Sequence, residues 1–278
     1  MYLKLKILIA IDGSESSLAA VQYAGKFFDP KKTDMALIHI LPNISDDETE
    51  KLHLKMTEQI QIKMEEFVTK LENAGYDKKQ INVNIQKQIN GVAKDIVAES
   101  ENGYDALVIG RRGLNDPTSI IVGATAYHML KVINHLPVVI VGDNPDPENI
   151  LIGLDGSDNS IKAIDCVCSL MPRSSRKILL CHISEKQEIE KQHQQIESII
   201  QNAEDRLVAA GFERTLIKKE ILKGILSRAV AISKTAEKHH CGSVVVGRRG
   251  LSMIREFMMG RVTMKILHKA HTQAVWIV

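Results

Sequence analysis

Apolar residues recur along this chain with two periods, and the switching between those periods predicts its elements. Lys6 to Ile11 is a short apolar run that ends at Asp12-Gly13-Ser14, and Leu18, Ala19, Val21, Gln22 and Phe27 then recur at helical spacing, which reads as strand, turn and helix. Met35 to Ile40 predicts a second strand. Leu52, Met56, Ile60, Met64, Phe67 and Leu71 step by three or four through a long polar segment, the stripe of an amphipathic helix, with Gly75 placed to end it. Ile81, Val83 and Ile85 alternate with Asn82, Asn84 and Gln86, as expected of a half-exposed strand near a sheet edge. A helix over Val92 to Ser100 follows. Ala106 to Ile109 is a continuous apolar run suited to a strand buried on both faces, and Val138 to Val141 is another after a helix around Ala124 to His135. Such alternation of strand and helix predicts a parallel sheet with helices on both faces.

The whole pattern occurs twice. Asp12-Gly13-Ser14 returns as Asp155-Gly156-Ser157 at an offset of 155 − 12 = 143, and His39-Ile40 returns as His182-Ile183 at the same offset. Gly110-Arg111-Arg112-Gly113-Leu114 returns as Gly247-Arg248-Arg249-Gly250-Leu251 at 247 − 110 = 137, so the second copy is shorter in its middle by 143 − 137 = 6 residues. Its strands are expected at Ile150 to Leu154, Ile178 to His182, Thr215 to Leu222, Ser243 to Val246 and Ala274 to Val278, with Gly211 ending the long helix as Gly75 does. A period this long gives each copy a core of its own rather than a place in a solenoid. The expected organisation is α/β: two tandem, doubly wound, five-stranded parallel-sheet domains over residues 1–142 and 150–278. The linker over 143–149 carries Pro145 and Pro147, which block helix and sheet alike.

In an open parallel sheet the ligand sits beyond the carboxyl ends of the strands, where the winding reverses. The loops after the first and fourth strands of each copy occupy that place, and they carry the repeated residues. Gly110 and Gly113, with Gly247 and Gly250, suit a backbone that turns N–H groups towards a phosphate, because glycine reaches positive φ and has no side chain in the way. Gly123 and Gly260 would open the next helix, whose first N–H groups favour an anion, and Arg111, Arg112, Arg248 and Arg249 would add charge. An alternative remains open for the glycines, that they permit tight turns and close helix packing. One remains for Asp12 and Asp155 too, that each caps the following turn or helix. The spacing is neither that of a phosphate-loop NTPase nor that of a dinucleotide fingerprint.

With those residues in view, the chain resembles the universal stress protein family, in its tandem-domain form, from end to end. That family's nucleotide motif is Gly-x2-Gly-x9-Gly-Ser/Thr after the fourth strand, and Gly110, Gly113 and Gly123, like Gly247, Gly250 and Gly260, match every glycine. The resemblance implies an adenine nucleotide alpha hydrolase-like fold and a bound ATP, ADP or AMP, with or without magnesium. It places Asp12 and Asp155 against the adenosine, the backbone at Ile40 and Ile183 against adenine, and the glycine loops around the phosphates. It also implies that Val138 to Val141 and Val275 to Val278 pair as last strands within the chain, an intramolecular pseudo-dimer, or pair between chains as a homodimer. The chain departs from the motif at the hydroxyl after the last glycine. The first copy has Ala124 followed by Thr125, and the second has Arg261, Val262 and then Thr263. Arg261 either grips phosphate or fills its space. The small Ala124, and Tyr104-Asp105-Ala106 becoming Cys241-Gly242-Ser243, suggest that the first copy is the better nucleotide site.

Composition narrows the remaining classes. With 44% hydrophobic residues, 25% charged and a formal charge of +2, the chain is neither disordered nor shaped for nucleic acid. No apolar stretch approaches the ~20 residues that span a bilayer, and Met1 to Asp12 reads as a strand rather than a signal peptide, so no membrane partner and a cytoplasmic location are expected. Cys166 and Cys168 would face different sides of a helix, which predicts reduced structural cysteines. His39 and His182 stand at strand ends, where a structural role is expected. His239-His240-Cys241 cannot all face one ion, so no metal is expected. Only cations, and no base or metal ligand, are evident for hydrolysis. Taken with the resemblance, this implies a regulatory ATP-binding protein of stress physiology that is read by an unidentified protein partner. The alternatives are a nucleotide-free dimerisation scaffold and, at most, a slow ATPase. Met253, Met258 and Met259 form an apolar group near the second glycine loop, expected to pack over it.

Overall fold

In the computed structural model, which describes residues 4–43, 49–113, 122–143, 145–172, 176–184, 193–223, 227–250 and 259–278, the first apolar run forms β1 (Leu5–Ala10). There follow α1 (Glu15–Phe27), β2 (Thr33–Leu41), α2 (Thr49–Asn73), β3 (Ile81–Lys87), α3 (Val92–Ser100), β4 (Ala106–Gly110), α4 (Ala124–Val132) and β5 (Val138–Val141). The second half repeats them as β6 (Asn149–Leu154), α5 (Asp158–Leu170), β7 (Lys177–Ile183), α6 (His193–Ala209), β8 (Ile217–Leu222), α7 (Arg228–Lys238), β9 (Ser243–Val246), α8 (Arg261–Lys269) and β10 (Ala274–Ile277). The chain divides into two compact units between Val141 and Gly142. In the first, the strands lie in the order β3-β2-β1-β4-β5, every pair parallel. In the second they lie as β8-β7-β6-β9-β10, again parallel. The winding therefore reverses between β1 and β4 and between β6 and β9, which opens a crevice at the carboxyl end of each pair.

The two cores are built on one template. α1 buries Ala20, Val21, Tyr23, Ala24 and Phe27, and α5 buries Ala163, Ile164, Cys166, Val167 and Leu170, every one displaced by the same 143 residues. Cys166 thus stands where the first copy has Tyr23. Leu18 and Ala19, read as part of the apolar face, are only half-buried, because the packed stripe lies one position further round the helix. α2 buries Ile60, Met64, Phe67 and Leu71, and α6 buries Ile196, Ile200, Ala203 and Leu207. Both helices stop at a left-handed glycine, Gly75 (φ 99°) and Gly211 (φ 95°), and the next residue's N–H turns back to Leu71 O at 3.2 Å or Leu207 O at 3.0 Å.

Departures from the sequence pattern have local causes. β3 is the outer strand of its sheet, and Val83 is 40% exposed there although Ile81 and Ile85 are half-buried, so the alternation only partly converts to burial. α4 ends at Val132 and not at His135, since Ile133 leaves helical geometry (ψ 116°) with its side chain fully buried. The run from Thr215 opens as a 3₁₀ turn, Arg214–Leu216, before β8 begins. Gly142, expected to close the first domain, and part of the expected linker are bonded into the second unit: Gly142 N–H donates to Gln273 O at 3.1 Å and Asp143 N–H to His271 O at 2.9 Å, and Asn149 already belongs to β6.

All four cysteines carry free thiols. Burial, with a smaller effect from Cys168, pushes the Cys166 thiol up to about 12, and burial with Glu220 nearby pushes Cys241 to about 11. These thiols are protonated at neutral pH and belong to the packing. Among the described residues no helix is long and apolar enough to cross a membrane, and no group of His, Cys, Asp and Glu is arranged to hold a metal ion.

Candidate functional site

Each crevice begins with an aspartate at the end of its first strand. In the first copy Asp12 Oδ1 accepts the Ser14 N–H at 3.0 Å and the Ser17 hydroxyl at 2.5 Å, while Ser14 caps α1 by accepting the Ser17 N–H at 3.2 Å. Between them Gly13 is left-handed (φ 85°), as Gly156 is in the second copy (φ 79°). Asp155 Oδ1 accepts both the N–H (3.0 Å) and the hydroxyl (2.6 Å) of Ser157, which caps α5. The turn-anchoring role for these aspartates is therefore present, and it occupies Oδ1. Oδ2 faces another way.

That second oxygen meets the glycine loop. A Cβ added to Gly113 would lie 2.7 Å from Asp12 Oδ2, and one added to Gly250 would collide with Asp155 Oδ2. In both copies the loop after the fourth strand thus passes directly over the carboxylate of the first. A Cβ on Gly110 would lie 2.6 Å from the Ser16 carbonyl, and one on Gly247 2.6 Å from Asn159 Cβ, so the first glycine of each motif lets the first turn of α1 or α5 sit on the strand end. None of Gly110, Gly113, Gly123, Gly247, Gly250 and Gly260 is left-handed. The expectation of positive φ in the motif is corrected: these glycines answer close approach, and the left-handed ones are Gly13 and Gly156.

The third glycine closes the loop. Gly123 N–H donates to Arg111 O at 3.0 Å, and Gly260 N–H to Arg248 O at 2.9 Å, which ties the start of α4 or α8 to the glycine–arginine segment. Both glycines are N-caps without a side-chain hydrogen bond. Space remains at these positions, for an added Cβ would meet nothing closer than 3.7 Å at Gly123 or 3.4 Å at Gly260. Leu114, Leu251, Met253 and Met258 lie outside the described residues.

The arginines do not behave alike. Arg111 is enclosed, 1% exposed, so it does not offer its charge at the loop surface as expected, whereas Arg112, Arg248 and Arg249 are half-buried. Burial first, and the neighbouring Arg249 second, hold the Arg248 guanidinium below its ordinary range. Ala124, Thr125 and Arg261 are exposed on the first turns of their helices, and Val262 is half-buried. Thr263 is turned inward, 4% exposed, its hydroxyl donating to Gly247 O at 2.9 Å.

Ile40 and Ile183 are buried near the ends of β2 and β7, beside the crevices. His39 precedes Ile40, and its Nδ1 lies 2.7 Å from Ile11 O, so the ring donates there and braces the residue before Asp12. Burial holds the His39 pKa below its usual value, against smaller opposing effects of that bond and of Asp12. His182 is buried, 5% exposed. His239 Nε2 lies 2.6 Å from Glu220 Oε2. Sequence reasoning missed Ser17, which bonds Asp12 within the turn, Ser16 and Asn159, which meet Gly110 and Gly247 through tertiary packing, and Ile60 and Ile199, which lie over Gly13 and Gly156. It also gave the change to Cys241-Gly242-Ser243 to the nucleotide site. This segment instead leads into β9 at the opposite end of the strand, where a Cβ on Gly242 would overlap the Asp146 backbone.

The chain matches the universal stress protein family over residues 5–142 and again over 147–278. It belongs to that family, with two domains in tandem. A universal stress protein from Archaeoglobus fulgidus DSM 4304 is similar in structure with a TM-score of 0.68 at 18% identity, over 98% of this chain and 97% of its own. A universal stress protein from Pseudomonas aeruginosa UCBPP-PA14 has a TM-score of 0.59 at 16% identity, over 98% and 92%. At these identities the likeness is one of fold.

Proposed function

We propose that this universal stress protein is an adenine-nucleotide-binding regulatory module of the stress response, holding ATP, ADP or AMP in the crevice of each domain. The observation that carries the reading is the convergence, in both copies, of the strand-one aspartate with the second motif glycine at the point where the winding reverses. Asp12 and Asp155 would meet the adenosine, the backbone beside Ile40 and Ile183 the adenine, and the segments Gly110 to Gly113 and Gly247 to Gly250 the phosphates, completed by the first amides of α4 and α8. Hydrolysis is absent or slow in this reading, and nucleotide occupancy alters a surface that another protein recognises. Magnesium would accompany the phosphates and not a protein cage. The pairing of the two domains through β5 and β10 belongs to the same proposal, and a soluble, stable chain lacking Gln273 to Val278 would refute it.

Calorimetric titration of nucleotide-stripped protein with Mg-ATP tests the nucleotide reading, with Gly123→Asp and Gly260→Asp as paired variants. Aspartate is a favoured N-cap and the space at both positions accepts a Cβ, so the fold is retained. Its carboxylate would face the phosphate. Loss of one site with each variant supports the reading; no heat and no competition by ADP or AMP favours the scaffold.

A further inference from the structure

β3 is an unguarded edge strand. Among the described residues it pairs with β2 alone, and its run from Ile81 to Gln86 contains neither a charge nor a proline. Its counterpart β8 is guarded: Lys218 and Lys219 are exposed, Lys219 Nζ reaches Glu204 Oε2 at 2.8 Å, and Glu220 holds Lys238 at 3.2 Å and His239 at 2.6 Å. Charges of this kind keep a further strand from adding to an edge, and β3 lacks them.

The β3 segment also reads the same in both directions. Lys79-Gln80-Ile81-Asn82-Val83-Asn84-Ile85-Gln86-Lys87 is a palindrome centred on Val83. A copy laid antiparallel across a two-fold axis at Val83 would set Ile81 against Ile85, Val83 against Val83 and Asn82 against Asn84, like with like on each face of the sheet. The backbone agrees with that centre. Gln88 N–H donates inward, to Leu41 O at 2.8 Å. Successive residues of a strand turn their N–H and C=O groups to opposite edges, so Asn82, Asn84 and Gln86 also turn theirs inward, while Ile81, Val83 and Ile85 direct theirs away from β2. Those outward groups are the ones the two-fold axis would pair. Their side chains share one face, where Val83 is 40% exposed and Ile81 and Ile85 are half-buried, so the pairing would cover apolar surface as well.

We propose that β3 is a contact between two copies of this chain, which pair antiparallel through Ile81 to Ile85 about a two-fold axis at Val83. A palindromic edge is complementary to itself, which selects a second copy over an unrelated strand. Lys79 and Gln80 lie in a 3₁₀ turn, Lys78–Gln80, whose Gln80 amide donates to Pro30 O at 2.7 Å and Thr33 O at 3.0 Å, so the pairing stops at Ile81. Beyond it Lys79 of one copy approaches Lys87 of the other, and like charges at both ends oppose a longer pairing and keep the association weak. The contact is separate from any pairing through β5 and β10.

Sedimentation of the full-length chain between about 1 µM and about 500 µM should show a monomer–dimer equilibrium with a dissociation constant of about 10–100 µM, as befits a small contact, and a tighter one at higher salt as the lysines are screened. Val83→Pro removes an outward N–H, leaves the bonds to β2 in place, and should weaken association about tenfold or more without changing thermal unfolding. Asn82→Lys with Asn84→Lys should weaken it by repulsion. Asn82→Lys with Asn84→Glu sets opposite charges across the axis and should restore the dimer, now loosened by salt. A chain that stays monomeric over the whole range overturns the proposal. So does a dimer that Val83→Pro and the double lysine variant leave untouched, which would place the contact elsewhere. Should Val83→Pro lower the thermal midpoint, the two double variants decide alone, and equal association by both overturns the register.

Discussion

Replacing Gly110 by alanine tests whether the first motif glycine is there for packing. The added Cβ would stand 2.6 Å from both the carbonyl carbon and the oxygen of Ser16 and 2.8 Å from its Cβ. Tolerable contacts begin near 3.4 Å, so the first turn of α1 must move away by 3.4 − 2.6 = 0.8 Å. That turn is held by the Ser14 cap and by the Asp12 carboxylate, and behind it Ala20, Val21, Ala24 and Phe27 are packed with 0 to 1% exposure. Forcing a core element aside costs about 1–3 kcal/mol. For a domain of this size, that is a fall in Tm of between about 2 and 12 °C. Gly123→Ala is the control: its Cβ meets nothing closer than 3.7 Å and its backbone angles, φ −58° and ψ 151°, suit any residue. Its Tm should stay within about 2 °C of the parent. Differential scanning calorimetry of both variants decides the matter. Equal stability of Gly110→Ala and Gly123→Ala would refute the packing argument, and an undiminished Gly110→Ala would show that α1 yields without cost.

Gly242→Ala should be the most damaging single-methyl addition among the described glycines of the second domain, since the Cβ would overlap the Asp146 main chain, and its urea midpoint should fall below that of Gly250→Ala, whose obstacle is a carboxylate able to swing. His39 has a folded pKa below its ordinary 6.5 because it is buried, so the unfolded chain binds the proton more readily. Stability is then complete above about pH 6.5 and declines as the pH falls through that value. His39→Gln, which keeps an N–H for Ile11 O, should show a smaller loss between pH 7 and pH 5 in chemical unfolding; an unchanged slope would exonerate His39. Among the four thiols only Cys168 is partly exposed, so a thiol-specific reagent should label one site quickly in the native protein and four in denaturant. Fast labelling of Cys166 or Cys241 in the native state would contradict their burial.

Much of this molecule can be read along the chain, because the signals are local. The periods of two and three to four placed the strands and helices, Gly75 and Gly211 stop helices through their own left-handed backbones, and the recurrence of Asp-Gly-Ser and Gly-Arg-Arg-Gly announced two domains built on one template. Why certain of those glycines have no side chain became visible only when parallel crossovers laid distant segments together. Gly110 must lack a side chain because the Ser16 backbone is there, and Gly242 because that of Asp146 is. Arg111 and Arg248 occupy the same place in an identical pentapeptide, yet one is enclosed and the other half-buried. A sequence specifies what a residue can do by its chemistry and its local backbone. Burial and close approach are properties of what stands opposite, and that is decided by the folded chain.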